Sequence, residues 1–336
     1  MLTDFGNEQR MVDAVCGQIK FGSEKKVWYI WNTKIGKWEE DITGKVHEVV
    51  KFVFRNIREV EVADMVSRAE KITDEIKRNE LKEIAGAYTN FALKCQNPAK
   101  IKACLDLCQT NKNFAILSSE FDKNSNLLNF NNGTLNLTTG EFYTHKKDDM
   151  ITKTVGYDYD SGAKCPKFEA FISSLFDSNK EKDKLVRYLK MAFGLCLTGD
   201  THHQVIQMCV GSGSNGKSAL LGSIQQVFGE YGSYLNGDSL TENRKGQIRE
   251  DIANLEGKRF VYASENTKGS KLDNELLKQL SGGSKDVIQV RRLYGHYFNL
   301  YPQCKIFWAF NHAPYISDMT LGLWRRIKII PFEGKE

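Results

Sequence analysis

The most informative segment of the sequence reads Gly211-Ser212-Gly213-Ser214-Asn215-Gly216-Lys217-Ser218, followed by Ala219. It comes directly after the apolar run 205–210 and before a segment with apolar residues at helical spacing up to residue 228. A strand, a glycine-rich loop and a helix are the context in which the pattern G-x-x-x-x-G-K-[ST] binds phosphate. The segment therefore predicts a phosphate-binding loop.

The residue types in this loop suit a nucleoside triphosphate with Mg²⁺. Glycines let backbone N–H groups curl around phosphate oxygens, and the N-terminus of the following helix adds a positive field. Lys217 can reach the β- and γ-phosphates, and Ser218 can ligate Mg²⁺. We therefore predict that residues 211–219 hold the nucleotide.

Two later apolar strands end in polar residues that suit hydrolysis. The run 259–264 is followed by Glu265, which can orient and deprotonate a water molecule, and the run 306–310 is followed by Asn311, which can hold that water or sense the γ-phosphate. Ser264 occupies the place where many P-loop enzymes carry a magnesium-binding Asp, so Ser218 and Glu265 are the candidate metal ligands. Acidic and amide residues also end many strands without any catalytic role.

An arginine pair and a basic hairpin each allow two interpretations, one functional and one purely structural. Arg325 and Arg326 precede the strand 327–332, where an arginine can reach the phosphates of a neighbouring subunit or form a surface salt bridge. Residues 286–301 predict a hairpin whose basic, aromatic tip can meet DNA through Arg292, Tyr294 and His296. A surface hairpin with no partner is the alternative.

Composition limits the remaining classes of protein. The 336 residues are 41% hydrophobic and 26% charged, and the net charge of +5 comes from the last quarter of the chain. The sequence contains no run of 18 apolar residues, so it predicts no membrane span. The N-terminus carries charges where a signal peptide needs apolar residues, so no signal peptide is predicted. Of the eight cysteines only Cys104 and Cys108 are close together, so we expect reduced, mostly buried thiols in a cytoplasmic protein and no cysteine metal site.

The length allows about two domains, and the patterning predicts three segments. Residues 1–45 contain the Trp-rich run 27–38, which predicts a hairpin whose aromatic side chains pack together more readily than they stack on bases. Residues 46–200 predict a mainly helical, collar-like domain. Within it, residues 45–121 predict three or four helices, residues 126–145 a small β-hairpin region, and residues 167–177 and 181–198 two further helices. Residues 201–336 carry the phosphate-binding loop and the strands that follow it.

The sequence resembles known proteins over nearly its whole length. Residues 205–332 are similar to the core of the superfamily 3 helicases, an AAA+ branch found in viruses, phages and plasmids. The order of loop, Glu265, hairpin, Asn311 and Arg326 matches the order of Walker A, Walker B, pre-sensor hairpin, sensor and arginine finger in that family. Residues 2–11 and 28–38 resemble the opening of phage and plasmid primase-helicases, and residues 132–141 resemble the domain before the core in those and the poxvirus-type enzymes.

This resemblance implies a fold and an activity. The fold is an α/β AAA+ P-loop NTPase core, a parallel sheet with flanking helices, preceded by a mainly helical α+β N-terminal region. The activity is movement of a ring, usually a hexamer, along single-stranded DNA from 3′ to 5′ with ATP and Mg²⁺. The protein is then encoded by a phage or mobile element and works in the cytoplasm of a bacterial host.

The resemblance also assigns roles and partners. Lys217 and Ser218 hold nucleotide and metal, Glu265 activates water, and Asn311 is the sensor. Arg326, rather than Arg325, completes the site of the adjacent subunit, and the three hairpin residues face DNA in the central channel. No primase catalytic segment is present in these residues, so we expect a separate primase or polymerase partner or a fused domain outside this sequence.

Three functions account for these features to different degrees. A replicative DNA helicase explains the loop, the catalytic residues and the hairpin together. A nucleotide-switched initiator or loader ring without processive unwinding is the alternative, although it needs neither Glu265 nor an arginine finger. A small-molecule kinase leaves the hairpin, the terminal basic bias and the large N-terminal region unexplained.

Overall fold

The structure is a computed structural model that describes residues 1–211, 213, 215–242, 249–282, 286–293, 295, 297–317 and 320–333. The chain forms two compact units. The first comprises Met1–Asn32 and Trp38–Phe121, and the second comprises Thr33–Lys37 and Asp122–Glu336. The three-segment division expected from the sequence stays a prediction.

The first unit combines a small sheet with a group of helices. Its strands are β1 (Ile19–Gly22), β2 (Val27–Asn32), β3 (Lys37–Glu40, whose first residue belongs to the second unit) and β4 (Ala115–Ile116), in the order β3-β2-β1-β4. Its helices are α1 (Asp4–Val15), α2 (Lys45–Asn56), α3 (Ala63–Glu70), α4 (Glu75–Cys95) and α5 (Pro98–Thr110), and a π-helical segment (Ile57–Val62) joins α2 to α3. The helix α5 begins at Pro98, because the Asn97 side chain accepts from the Ala99 N–H and proline fits the first helical position.

The Trp-rich run forms the predicted hairpin, and its aromatic side chains pack inside the first unit. Trp38 is only 1% exposed. Its ring lies 5.6 Å from that of Trp31 and 6.2 Å from that of Phe121. The packing interpretation of this run is therefore confirmed.

The second unit begins with a small antiparallel sheet and two helices. The strands β5 (Leu127–Phe130), β6 (Gly133–Asn136) and β7 (Phe142–Tyr143) confirm the hairpin region predicted at 126–145. The helices α6 (Pro166–Ser174) and α7 (Lys182–Cys196) follow. The buried Asn129 of β5 donates to the backbone oxygens of Ile35 and Gly36 at 2.9 and 3.2 Å, which explains why residues 33–37 belong to this unit.

A parallel sheet dominates the rest of the second unit. The elements, in chain order, are β8 (Ile206–Val210), α8 (Lys217–Val227), β9 (Gly232–Asn236), α9 (Glu250–Ala253), β10 (Phe260–Ser264), α10 (Asn274–Leu280), β11 (Ile288–Arg291), β12 (Tyr297–Leu300), β13 (Lys305–Phe310), α11 (Leu321–Trp324) and β14 (Ile327–Pro331). Within the described residues, five of these strands form a sheet in the order β14-β8-β13-β10-β9 with every neighbouring pair parallel. β11 and β12 pair as the separate antiparallel hairpin predicted at 286–301.

Both faces of the parallel sheet are covered. Met208 and Trp308 pack into one apolar cluster, whereas the next residue on β8, Cys209, and the preceding residue on β13, Phe307, pack into another. This alternation is the period-two pattern of a strand, and coverage of both faces accounts for the nearly continuous apolar runs in the sequence. The mixed α/β fold with a parallel sheet and flanking helices is thus present.

One strand of this sheet was not predicted. β9 has a single buried large apolar side chain, Leu235, and lies at the edge of the sheet beside β10. Such a short edge strand lacks the apolar run that identified the other four.

Among the described helices, none has both the length and the apolar character that crossing a bilayer requires.

Candidate nucleotide-binding site

The loop between β8 and α8 has the backbone that its glycines predict. Gly213 and Gly216 have φ angles of +102° and +77°, which are left-handed conformations that glycine adopts without strain. A Cβ atom on Gly216 would lie 2.4 Å from Cδ2 of Leu175, the residue that follows α6, so the loop closely approaches the C-terminal end of that helix. Ser212 and Ser214, both predicted to hold nucleotide, lie outside the described residues.

Lys217 is held inside this loop. Its side chain is almost fully buried, at 5% exposure for the residue. Its Nζ donates to the Gly211 backbone oxygen at 2.9 Å, to Asn215 Oδ1 at 2.8 Å and to Asn311 Oδ1 at 3.4 Å. Burial lowers the pKa of the Lys217 ammonium from its ordinary value. A partly desolvated ammonium in a ring of neutral oxygens favours the approach of an anion.

Asn215 links Lys217 to the end of β14. Its Oδ1 accepts from Lys217, and its Nδ2 donates to the Phe332 backbone oxygen at 2.8 Å. Gly211 makes room for this contact, since a Cβ there would lie 2.0 Å from Asn215 Nδ2. The motif placed Asn215 in the loop, but nothing in the sequence indicated a partner more than a hundred residues away.

The first turn of α8 provides the donors that an anion needs. Gly216 is its N-cap and has no side chain to accept from the first N–H groups of the helix. Ser218 and Ala219 are exposed in this turn. Backbone donors, the positive end of a helix and the Ser218 hydroxyl together fit a phosphate group with Mg²⁺, a metal that prefers oxygen ligands.

The order of strands brings Asn311 and Glu265 close to the loop. All three lie at the carboxyl edge of the sheet, which is the side on which the parallel strands end. β13 lies directly beside β8, with Phe310 opposite Val210, so Asn311 follows at the level of the loop and contacts Lys217. β10 is the next strand, and the Glu265 N–H donates to the Ala309 oxygen at 3.2 Å. Ligands of parallel sheets bind at this carboxyl edge. The exposed Glu265 has a φ of +57°, an uncommon conformation for a residue with a side chain.

The side chain of Ser264 forms a hydrogen bond within the second unit. Its Oγ lies 3.0 Å from the hydroxyl of Tyr234 on β9, so the two side chains share a hydrogen bond. Ser264 is only partly exposed. This contact leaves Ser218 and Glu265 as the metal-ligand candidates that face solvent.

Arg325 and Arg326 lie at the opposite, amino edge of the sheet, which is the side on which the parallel strands begin. The Ile206 N–H at the start of β8 donates to the Arg326 oxygen at 2.7 Å, whereas Lys217 follows the end of that strand. Five residues of β8 separate the two edges by about 16 Å at 3.3 Å per residue. The structure therefore does not bring Arg326 and Lys217 together within one chain.

The two arginines differ in their surroundings. Arg326 is partly buried and its guanidinium donates to the Gly322 oxygen, and burial and the neighbouring Arg325 charge lower its pKa. Arg325 is exposed and donates to Gln204 Oε1 at 2.5 Å.

The hairpin of β11 and β12 presents basic and aromatic side chains together. The Arg291 guanidinium lies 5.1 Å from the centre of the Tyr297 ring, in a cation–π arrangement. Arg292 forms an ion pair with Glu256 at 3.5 Å and is partly exposed. Leu293, near the tip, is exposed. Tyr294 and His296 lie outside the described residues, so only Arg292 of the predicted DNA-binding set has a described position.

Comparison with protein families gives two matches. The family described as "D5 N terminal like" matches residues 8–177, about half of the chain. A "Family of unknown function (DUF5906)" matches residues 209–326, which contain the loop, Glu265 and Asn311.

Similar proteins occur in large DNA viruses. The protein named "Putative helicase L207/L206" of Acanthamoeba polyphaga mimivirus is 28% identical over 242 residues, which cover 70% of this chain and 24% of that protein. "Putative helicase 184R" of Invertebrate iridescent virus 6 is 23% identical over 252 residues, or 73% of this chain and 26% of that protein. This chain thus spans about a quarter of the length of these curated relatives.

A solved structure has a similar fold. The A form apo structure of the NrS-1 C terminal region aligns with a TM-score of 0.51 at 10% identity, covering 96% of this chain and 60% of that one. At this identity the likeness concerns the fold alone.

Proposed function

Because this chain belongs to the D5 N terminal like family, we propose that its second unit binds ATP with Mg²⁺ and hydrolyses it as the motor of a DNA helicase. One observation carries the proposal: Lys217 of the glycine loop and Asn311 of the adjacent strand meet at 3.4 Å at the carboxyl edge of the sheet. This is the edge at which parallel sheets bind ligands. The helicase names of the viral relatives support the same function.

The described residues divide the hydrolytic work among themselves. Lys217, the described backbone N–H groups of the loop and the first turn of α8 would bind the phosphates. Ser218 and Glu265 would supply oxygen ligands for Mg²⁺. Mg²⁺, when bound, neutralises charge on the β- and γ-phosphates. Glu265 accepts the proton of the attacking water, and the Asn311 side chain orients that water or senses the γ-phosphate.

The finer assignment is a superfamily 3 helicase with an AAA+ core. The strand order, which puts the loop-bearing strand beside the strand of Asn311 and next but one to that of Glu265, supports it. We propose a ring, as a hexamer, in which Arg326 acts on the nucleotide of the adjacent subunit, since its own Lys217 lies at the other edge of the sheet. Arg292 and its hairpin would contact single-stranded DNA as the ring moves from 3′ to 5′ in replication.

Two further elements of the proposal concern the surroundings of the motor. Residues before the parallel sheet would serve as a collar for assembly of the ring. A primase or polymerase would work with it as a partner or as a fused domain of a longer protein.

The test is nucleotide binding and hydrolysis by the full chain and two variants. Lys217→Ala removes the ammonium that contacts the loop, so we expect loss of ATP turnover with the fold intact by circular dichroism. Lys51→Ala, which removes an exposed lysine of the first unit paired with Glu48, is the matched control and should turn over ATP as the unmodified chain does. Turnover that survives Lys217→Ala would show that the site lies elsewhere.

A further inference from the structure

The strained backbone of Glu265 needs a device that holds it. A non-glycine residue with a φ of +57° costs free energy and persists only where its surroundings fix it. The Glu265 N–H bond to the Ala309 oxygen fixes one side of the peptide. The other side faces a single 3₁₀-helical turn (Gly237–Leu240) that follows β9, a strand not predicted from the sequence.

Gly237 of this turn lies directly against the Glu265 backbone. A Cβ on Gly237 would lie 1.8 Å from the Glu265 oxygen and 2.7 Å from Trp308 Nε1. Trp308 is fully buried in an apolar cluster, so moving its ring away would disturb the packing of that cluster. Glu265 can therefore keep its position only while residue 237 has no side chain.

Asp238 holds the residues after Glu265. Its Oδ1 accepts from the Thr267 N–H at 2.7 Å, and its Oδ2 accepts from the Thr267 hydroxyl at 2.9 Å. Thr267 is exposed and Asp238 is partly buried, so these two bonds fasten the segment 265–267 to the turn.

We propose that Gly237 and Asp238 form a cradle that positions Glu265 for its reaction with water. The inference rests on the proposed function, in which Glu265 is the general base. Gly237 and Asp238 are positioning residues, because they contact the Glu265 segment and act on the reaction through it. A carboxylate displaced by about 1 Å loses much of its catalytic effect even when substrate binding is unchanged.

The experiment uses the full chain and measures kcat and KM for MgATP, the affinity for a fluorescent ATP analogue and the melting temperature. Gly237→Ala pushes the Glu265 backbone, and Asp238→Ala releases Thr267 without adding bulk. We expect kcat to fall at least tenfold in Gly237→Ala and a few-fold in Asp238→Ala. The affinity for the analogue, measured without Mg²⁺ so that Glu265 takes no part in it, should stay within twofold of that of the unmodified chain. Gly194→Ala is the control, because a Cβ at this helical glycine meets nothing within 4 Å.

A double-mutant cycle separates positioning from general damage. In the Glu265→Gln background, both cradle substitutions should change the residual single-turnover rate by less than twofold, since they act through a carboxylate that is gone. Equal losses in both backgrounds would overturn the cradle, as would single variants that keep full kcat. If Gly237→Ala fails to fold, Asp238→Ala decides the question by the same criteria.

The two proposals fail in different ways. An unmodified chain without ATP turnover refutes the proposed function and the cradle with it. A chain whose turnover requires Lys217 and Glu265 but tolerates both cradle substitutions refutes the cradle alone.

Discussion

Arg259 is expected to contribute strongly to the stability of the second unit. It begins the run that leads into β10, is 3% exposed, and donates to the Leu197 oxygen at 2.6 Å and the Leu127 oxygen at 2.7 Å. Its guanidinium also lies 4.3 Å from the centre of the Tyr231 ring. One side chain thus joins the end of α7 and the start of β5 to the parallel sheet.

Arg259→Met retains much of the apolar volume and removes all three interactions. A hydrogen bond to a charged group contributes about 1.5–3 kcal/mol, so two such bonds give about 3–6 kcal/mol. Burial lowers the pKa of Arg259, which means that its desolvation costs free energy that methionine does not incur. We therefore expect a net loss of about 2–5 kcal/mol in the free energy of unfolding of the second unit.

The assay is amide hydrogen exchange of the full chain, followed on peptides that cover β8 and β10. Exchange reports the second unit separately from the first, which a single melting curve does not. Arg68→Met is the matched control, because Arg68 forms an exposed ion pair with Asp64 at 3.4 Å and such pairs contribute about 0–1 kcal/mol. A loss below about 1 kcal/mol for Arg259→Met would refute the reasoning.

Two further substitutions test the electrostatics and the arginine finger. Burial lowers the pKa of Lys305 to about 8, so the folded state loses this proton at a lower pH than the unfolded state does. The free energy of unfolding of the unmodified chain should therefore rise from about pH 8 to pH 10 relative to that of Lys305→Met, by up to about 1.4 kcal/mol per pH unit. Urea titrations at several pH values measure both free energies. A difference between the two proteins that does not change with pH would contradict the lowered pKa. Arg326→Ala should bind ATP normally and hydrolyse it at least tenfold more slowly, and mixing it with Glu265→Gln subunits should restore part of the turnover; no restoration would argue against a site shared between subunits.

Much of the fold of the second unit could be predicted because its signals are local. The glycine loop, its strand and its helix are contiguous in sequence. Four strands of the parallel sheet could be identified from apolar runs in the sequence. Asn311 could be proposed for the site because it follows such a strand. Its contact with Lys217 depends on the order of strands, which no local pattern gives.

The parts that escaped prediction depend on contacts between distant backbones. β9 is an edge strand with little apolar surface, so it has no run to detect, and the cradle at Gly237 and Asp238 follows directly from it. Gly237 acts by lacking a side chain against a carbonyl oxygen, and Phe332 meets Asn215 through its backbone oxygen. A backbone group is the same in every residue, so the amino-acid types give no sign of these contacts.

The most direct test of a nucleotide-driven motor on DNA is the rate of ATP hydrolysis with and without single-stranded DNA, measured together with the mass of the assembly in solution. The account predicts turnover that DNA stimulates, from a ring-sized assembly, and loss of that turnover in Lys217→Ala. A monomer whose turnover ignores DNA, or a ring that binds ATP and DNA without hydrolysis, would contradict it, and the second result would favour a nucleotide-switched initiator or loader.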